Sequence, residues 1–231
     1  MLNTRPREQA AELSRLLSQA GFDVVEAPAI EIVPAWEPTE LDSVRDDLAQ
    51  HAFDWVVLAS QNAANGLEDR LRGANLVCGS STAHALGLTP ALQLDRFSAT
   101  AALEALRPLL QSGQRVLVPR AAQGRDELID GLHQRGIEIT APVAYTTSNV
   151  AASAQRLREG GIDVVTVCSP SAVRCLASAI DTDSILVCLG ETTAEAARLA
   201  GLRVDGVAQR TTMSALVEAV KVALAGNEVA V

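Results

Sequence analysis

Val187-Cys188-Leu189-Gly190-Glu191-Thr192-Thr193-Ala194 is the stretch from which the rest of the chain can be read. The apolar run from Ile185 to Leu189 predicts a buried parallel strand. Gly190 marks a sharp turn. Thr192 and Thr193 then stand where a helix should start, with a helical pattern running on to Leu199. Hydroxyls at that place can cap a helix, and its first backbone N–H groups point outward. A strand end followed by a helix start is a ready anion pocket. Taken alone, one such junction reads first as a plain helix cap.

Repetition changes that weighting. Cys78-Gly79-Ser80-Ser81-Thr82-Ala83-His84-Ala85-Leu86 is a second copy, with Gly79 and Thr82 each 111 positions before Gly190 and Thr193. Asp54-Trp55-Val56-Val57-Leu58-Ala59-Ser60-Gln61-Asn62-Ala63 pairs with Asp163-Val164-Val165-Thr166-Val167-Cys168-Ser169-Pro170-Ser171-Ala172 at a spacing of 109. Leu2, Arg5, Leu13 and Gly21 match Leu117, Arg120, Leu128 and Gly136 at a spacing of 115. The chain therefore reads A-B-A′-B′, an internal duplication.

The 231 residues are 48% apolar, enough for one large or two small cores, and the duplication favours two. A net charge of −9 with no basic run argues against nucleic acid, which needs a basic face. Four cysteines (Cys78, Cys168, Cys175, Cys188) show no CxxC spacing, and three lie in or beside predicted strands. Small apolar cysteines in a reduced, cytoplasmic compartment are the simple reading. Leu2 already belongs to the first strand pattern, so no signal peptide is expected. Uninterrupted apolar runs stop at five residues, so no membrane span is expected either.

Strand and helix patterns alternate along the whole chain. Unit A is strand, helix and strand, with Leu13, Leu16, Leu17 and Ala20 at helical spacing and Gly21 as the stop. Pro34-Ala35-Trp36-Glu37-Pro38 reads as a linker or hinge. Unit B has a strand from Trp55 to Leu58, a helix from Ala63, a strand near Leu76 to Cys78 and a short helix from Thr82. The tight loop Gln111-Ser112-Gly113-Gln114 ties B to A′. Unit A′ ends in a strand from Ile137 to Tyr145, and Thr146-Thr147-Ser148-Asn149 is a second hinge candidate. The expected fold is α/β: two flavodoxin-like domains with parallel sheets joined by a two-stranded hinge. Residues 35–146 should form one domain, and residues 1–34 with 147–231 the other.

No GxGxxG, Walker lysine motif, HExxH or GxSxG occurs, and His51, His84 and His133 are scattered. Nothing calls for a metal or a cofactor. Present instead are four Ser/Thr-rich strand-to-helix turns. The candidate binding residues on them are Ser60 and Asn62, Ser81 and Thr82, Ser169 and Ser171, and Thr192 and Thr193. In two facing open sheets, all four turns would open on an interdomain cleft rich in donors and poor in fixed charge. That suits a small molecule with several carboxylates, although each turn alone is equally a helix cap. Arg5 and Arg120 sit at equivalent strand ends and suit bidentate carboxylate contacts, with a surface arginine as the plain alternative. Tyr145, the only tyrosine, closes the last strand of A′ beside the cleft. It is either a packing residue or a neutral proton donor.

Together these motifs resemble the uroporphyrinogen-III synthase family. The resemblance rests on Asn3-Thr4-Arg5-Pro6, Val118-Pro119-Arg120 with Arg125-Asp126-Glu127-Leu128, Ala144-Tyr145-Thr146-Thr147, Cys168-Ser169-Pro170-Ser171-Ala172-Val173, Leu189-Gly190-Glu191-Thr192-Thr193-Ala194 and Thr212-Met213-Ser214-Ala215-Leu216. It runs from Leu2 to about Val220. It implies two flavodoxin-like domains on a flexible two-stranded connector, with both chain ends in one of them. It also implies a cofactor-free lyase that dehydrates and cyclises hydroxymethylbilane, a linear tetrapyrrole, with ring D inverted through a spiro intermediate. On that resemblance Tyr145 helps the hydroxyl leave, and Thr192, Thr193, Ser169 and Thr82 hold carboxylates. A monomer is the expected state. Glu191 stands where the family usually has Pro, and Ala59 and Cys168 replace common Thr or Phe positions. Two competing readings remain. One is a non-catalytic two-lobed binding protein for a small polycarboxylate. The other is a different cofactor-free α/β transferase, for which no strand-end base stands out.

Overall fold

Three strands, Leu76–Gly79, Val164–Val167 and Ile185–Cys188, are buried at every residue. A strand with no exposed side has helices on both faces of its sheet, the usual setting of parallel strands. The structure is a computed structural model that describes residues 1–181 and 183–228.

The chain opens with β1 (Leu2–Asn3), α1 (Arg7–Gln19), β2 (Val25–Glu26) and β3 (Ile30–Pro34). Next come α2 (Pro38–Ala49), β4 (Trp55–Leu58), a 3-10 turn (Gln61–Ala64), β5 (Leu76–Gly79) and α3 (Ser80–Leu86). β6 (Leu92–Leu94), α4 (Ala99–Leu106), β7 (Arg115–Leu117), β8 (Arg120–Ala121), α5 (Glu127–His133) and β9 (Glu138–Thr140) follow. Then come β10 (Val143–Asn149), α6 (Ala151–Arg158), β11 (Val164–Val167) and α7 (Pro170–Leu176). The last elements are β12 (Ile185–Cys188), α8 (Glu191–Leu199), β13 (Gly206–Val207) and α9 (Met213–Glu228).

Two compact units result: Met1–Glu31 with Thr147–Val231, and Ile32–Thr146. The first holds a sheet of order β13-β12-β11-β1-β2, all parallel. Counted within the unit this is the 2-1-3-4-5 order of flavodoxin-like folds. The second holds β6-β5-β4-β7-β9, also all parallel. It has the same arrangement once β7 and β9 are taken before β4, so one unit is a circular permutation of the other. Register carries the duplication too. Leu2 pairs with Val165 and Val25 in one unit, and their repeat partners Leu117, Val56 and Thr140 pair in the other.

In the second unit, alternation along the strands feeds two cores. Val56, Leu58, Leu76, Cys78 and Leu117 pack with Val44 and Leu48 of α2. Val57, Val77 and Val116 face the other way, against Ala102, Leu106, Leu128 and Leu132. In the first unit Val164, Ile185 and Val187 pack with Leu13 and Leu17 of α1 and with Leu216, Val217 and Val220 of α9. A three-stranded sheet, β3-β10-β8, contains both passages of the chain between the units, in β3 and β10.

Several expectations shift at element boundaries. The polar run from Thr146 to Asn149 is strand, and Tyr145 lies inside β10 instead of closing a strand. The expected strand from Ile137 to Tyr145 is broken at residues 141–142, where Pro142 has no N–H for a ladder. The expected helix from Ala63 is a single 3-10 turn, stopped by Asn65, whose ψ of 122° leaves the helical region, and by Gly66 at φ 80°. Gly190 is extended, with φ −167°, a backbone any residue adopts, so the chain makes no glycine-only turn there.

Candidate functional site

In sheets of this order, ligands bind at the carboxyl ends of the strands where the winding direction reverses. In the second unit that point lies between β4 and β7. Ser60 follows β4, and Arg120 follows β7 after Pro119. The Ser60 and Tyr145 hydroxyl oxygens are 3.1 Å apart, within hydrogen-bond distance. The half-buried Tyr145 ring packs against the α2-side core. Its carbonyl is held as well, since Ala122 N–H donates to Tyr145 O at 2.8 Å; on the next residue, Gln123 Nε2 donates to the Thr146 side-chain Oγ1 at 2.9 Å. The β8–β10 register slips here, with Val143 opposite Arg120 and Tyr145 opposite Ala121. A slip of this kind re-aims a side chain out of the regular pleat.

Arg120 is engaged within its own loop. Its guanidinium forms an ion pair with Asp126 and donates to Gly124 O at 2.7 Å. Asp126 was visible only as part of a motif, because the loop that folds it back onto Arg120 has no periodicity to read.

In the first unit the reversal lies between β1 and β11, with Arg5 after one and Ser169 after the other. Arg5 Nε donates to Gln9 O at 2.8 Å, and one terminal nitrogen donates to Gln9 Oε1 at 3.1 Å. The other terminal nitrogen faces Met213 Sδ at 3.2 Å, a weak acceptor. Burial pushes the Cys168 thiol up, and the nearby Arg5 guanidinium partly opposes this. Burial likewise raises Cys78 and takes Cys188 to about 12, so these sulfurs stay protonated thiols. Ser169 is a true cap, its Oγ accepting from Ala172 N–H at 3.2 Å. Ser171 Oγ accepts from Arg174 at 3.0 Å.

The two glycine junctions behave differently from the serine one. Gly190 caps α8 and Gly79 caps α3, and neither has a side chain to satisfy first-turn amides. Thr192 and Thr193, like Ser81 and Thr82, lie inside the first helical turn and are not caps. Thr82 and Thr193 are buried there at equivalent places. Glu191 is paired with Arg198 at 2.5 Å, which offsets its charge beside the open helix start. Asn62 lies in the 3-10 turn after Ser60. Among the described residues, no group of three or more His, Cys, Asp or Glu is placed to hold a metal ion. No helix among them is long and apolar enough to cross a membrane.

The structure thus joins Tyr145 to Ser60. It sets Arg5 and Ser169 at one switch point, and Ser60 and Arg120 at the equivalent one. The Ser60–Tyr145 bond could not be read from the sequence, since the residues are 85 positions apart. The uniqueness of Tyr145 was the one signal.

Comparison with known proteins gives a consistent result. A family model described as uroporphyrinogen-III synthase HemD matches residues 11–218. A porphyrin biosynthesis protein HemD of Ruminiclostridium josui is 26% identical over 94% of this chain and 47% of that protein. The chain therefore spans about half the length of that relative. A uroporphyrinogen-III synthase of Synechococcus elongatus is 30% identical over 75% of this chain and 72% of that protein. Among solved structures, a mutant uroporphyrinogen III synthase from Thermus thermophilus is similar at a TM-score of 0.62 and 17% identity. That match covers 97% of this chain and 98% of the other and speaks for the two-domain α/β fold.

Proposed function

This chain belongs to the uroporphyrinogen-III synthase family, and from that premise we propose that it is a cofactor-independent lyase. It converts hydroxymethylbilane to uroporphyrinogen III by loss of water and ring closure with ring D inverted. The observation that carries this reading is the family match across residues 11–218. The repeated strand-end donors support it. The substrate carries acetate and propionate groups, and glycine-capped helix starts offer N–H groups to carboxylates without a fixed positive charge.

The chemistry asks for positioning above all. The pyrrole nitrogen lone pair expels the hydroxyl from the hydroxymethyl carbon. The departing oxygen takes a proton and leaves as water, and an azafulvene cation remains. The substituted carbon of ring D attacks that carbon, the spiro intermediate rearranges, and rearomatisation returns the borrowed proton. Tyr145 is the residue we assign to the departing oxygen. It is a hydroxyl donor on a backbone whose carbonyl Ala122 holds.

Ser81, Thr82, Ser169, Ser171, Thr192, Thr193 and Asn62 are assigned to the substrate carboxylates, with Arg5 as the cationic partner. Arg5 suits the task because its acceptors include the weak Met213 thioether, which a carboxylate would displace. Arg120 joins this set by exchanging Asp126 for a substrate carboxylate. Ser60 differs from the others, because its hydroxyl faces Tyr145. A reducing, cytoplasmic setting and a monomeric state complete the proposal; four free cysteines suit the first.

The alternative is a two-lobed protein that binds a polycarboxylate without turning it over. Following hydroxymethylbilane consumption against a buffer control separates the two. An enzyme accelerates ring closure, whereas a binding protein protects the bilane or leaves its spontaneous closure unchanged.

A further inference from the structure

The duplication provides an internal control for Ser60. Its repeat partner is Ser169, each at the end of a buried strand and each extended, with φ −155° and −150°. Ser169 uses its hydroxyl to cap α7, where Pro170 at the first helical position favours a regular helix. Ser60 is followed by Gln61 and by a 3-10 turn, and its side chain makes no cap bond. The hydroxyl that a cap would have used turns to Tyr145 instead.

The other side of the contact is over-determined. The β8–β10 slip, the Ala122 bond to its carbonyl and the packed ring fix the tyrosine from its backbone outward. One freedom remains, the rotation of the phenolic O–H. A partner that donates to the phenol oxygen leaves the phenol's own proton to point elsewhere. We infer that Ser60 is a positioning residue that donates to Tyr145 Oη, so that the phenolic proton is presented to the departing hydroxyl. This rests on the role proposed for Tyr145, and it gives Ser60 a task different from holding a carboxylate.

Tyr145 is the only tyrosine, so one 13Cζ-tyrosine label gives one NMR resonance that senses hydrogen bonding at this hydroxyl without substrate. That resonance should move in Ser60→Ala and stay near its wild-type position in Ser60→Thr, which keeps a hydroxyl on an extended backbone. With enzymatically made hydroxymethylbilane, Ser60→Ala should lower kcat by about fivefold to tenfold, the worth of one hydrogen bond. KM should be little changed, and Ser60→Thr should recover most of the rate. In a Tyr145→Phe background, Ser60→Ala should cost nothing more. Losses that multiply in the double variant, or that fall on KM, would make Ser60 a direct substrate contact and overturn the inference. An unmoved resonance overturns it without any turnover assay. A silent Tyr145→Phe in an enzyme that does turn over overturns it too, while leaving the proposed activity standing.

Discussion

Tyr145 carries the sharpest consequence of the account at the scale of a single residue. Positioned proton transfer is typically worth about 10²–10⁴ in rate. Tyr145→Phe removes one oxygen from a half-buried ring whose core contacts remain, so the variant should fold normally by circular dichroism. Turnover should fall by roughly tenfold or more, and unclosed bilane should drain into the spontaneous type I product. Wild-type turnover in this variant would make Tyr145 a packing residue. Its uniqueness was legible in the sequence, but it lies inside β10 and not at the strand end that the pattern suggested. Its hydroxyl partner was not legible, because a side-chain contact between elements leaves no local pattern. Arg120 illustrates the same limit: its strand-end position follows from the repeat, but its engagement by Asp126 depends on how one aperiodic loop folds back.

Among elements, the strand-to-helix junctions separate into two kinds that look alike as sequence. The repeat matches Gly79 to Gly190, yet their surroundings differ. A Cβ on Gly79 would lie 3.2 Å from Phe97 Cβ and 3.4 Å from its backbone nitrogen, whereas for one on Gly190 the nearest atom among the described residues is Thr211 Cγ2 at 3.5 Å. Both variants lose a glycine cap, so Gly79→Ala should lower stability by about 1–3 kcal/mol more than Gly190→Ala, because overpacking is added only there. Chemical denaturation of the two variants measures this directly, and equal losses would contradict the packing argument. Strand alternation and duplicated apolar runs made the parallel sheets readable before the structure. Element ends were harder. A helix expected from Ala63 is a 3-10 turn over Gln61–Ala64 that ends before Asn65 and Gly66, and a strand expected through Tyr145 broke at Pro142. Those ends are decided by single residues against a neighbouring pattern, where periodicity is weakest.

For the whole molecule, the two units place the same strand order and register around two reversal points, and the permuted order of one follows from the A-B-A′-B′ chain. The buried thiols give a pH signature for the fold. Cys78 and Cys168 lie above the ordinary 9.0, and Cys188 is near 12. The native state keeps these protons where the unfolded chain loses them. Stability should therefore be unaffected by these groups below about pH 9 and decline as pH rises toward 12. Urea midpoints across that range should fall, and less steeply in Cys188→Ala; an equal slope in both would remove Cys188 from the cause. The central claim is that this acidic two-unit chain inverts ring D during closure. The most direct test is to incubate the wild-type protein with freshly generated hydroxymethylbilane, oxidise the products and separate the type I and type III isomers. The account predicts that type III dominates and grows with protein concentration. Type I alone, formed at the rate seen in buffer, would contradict it.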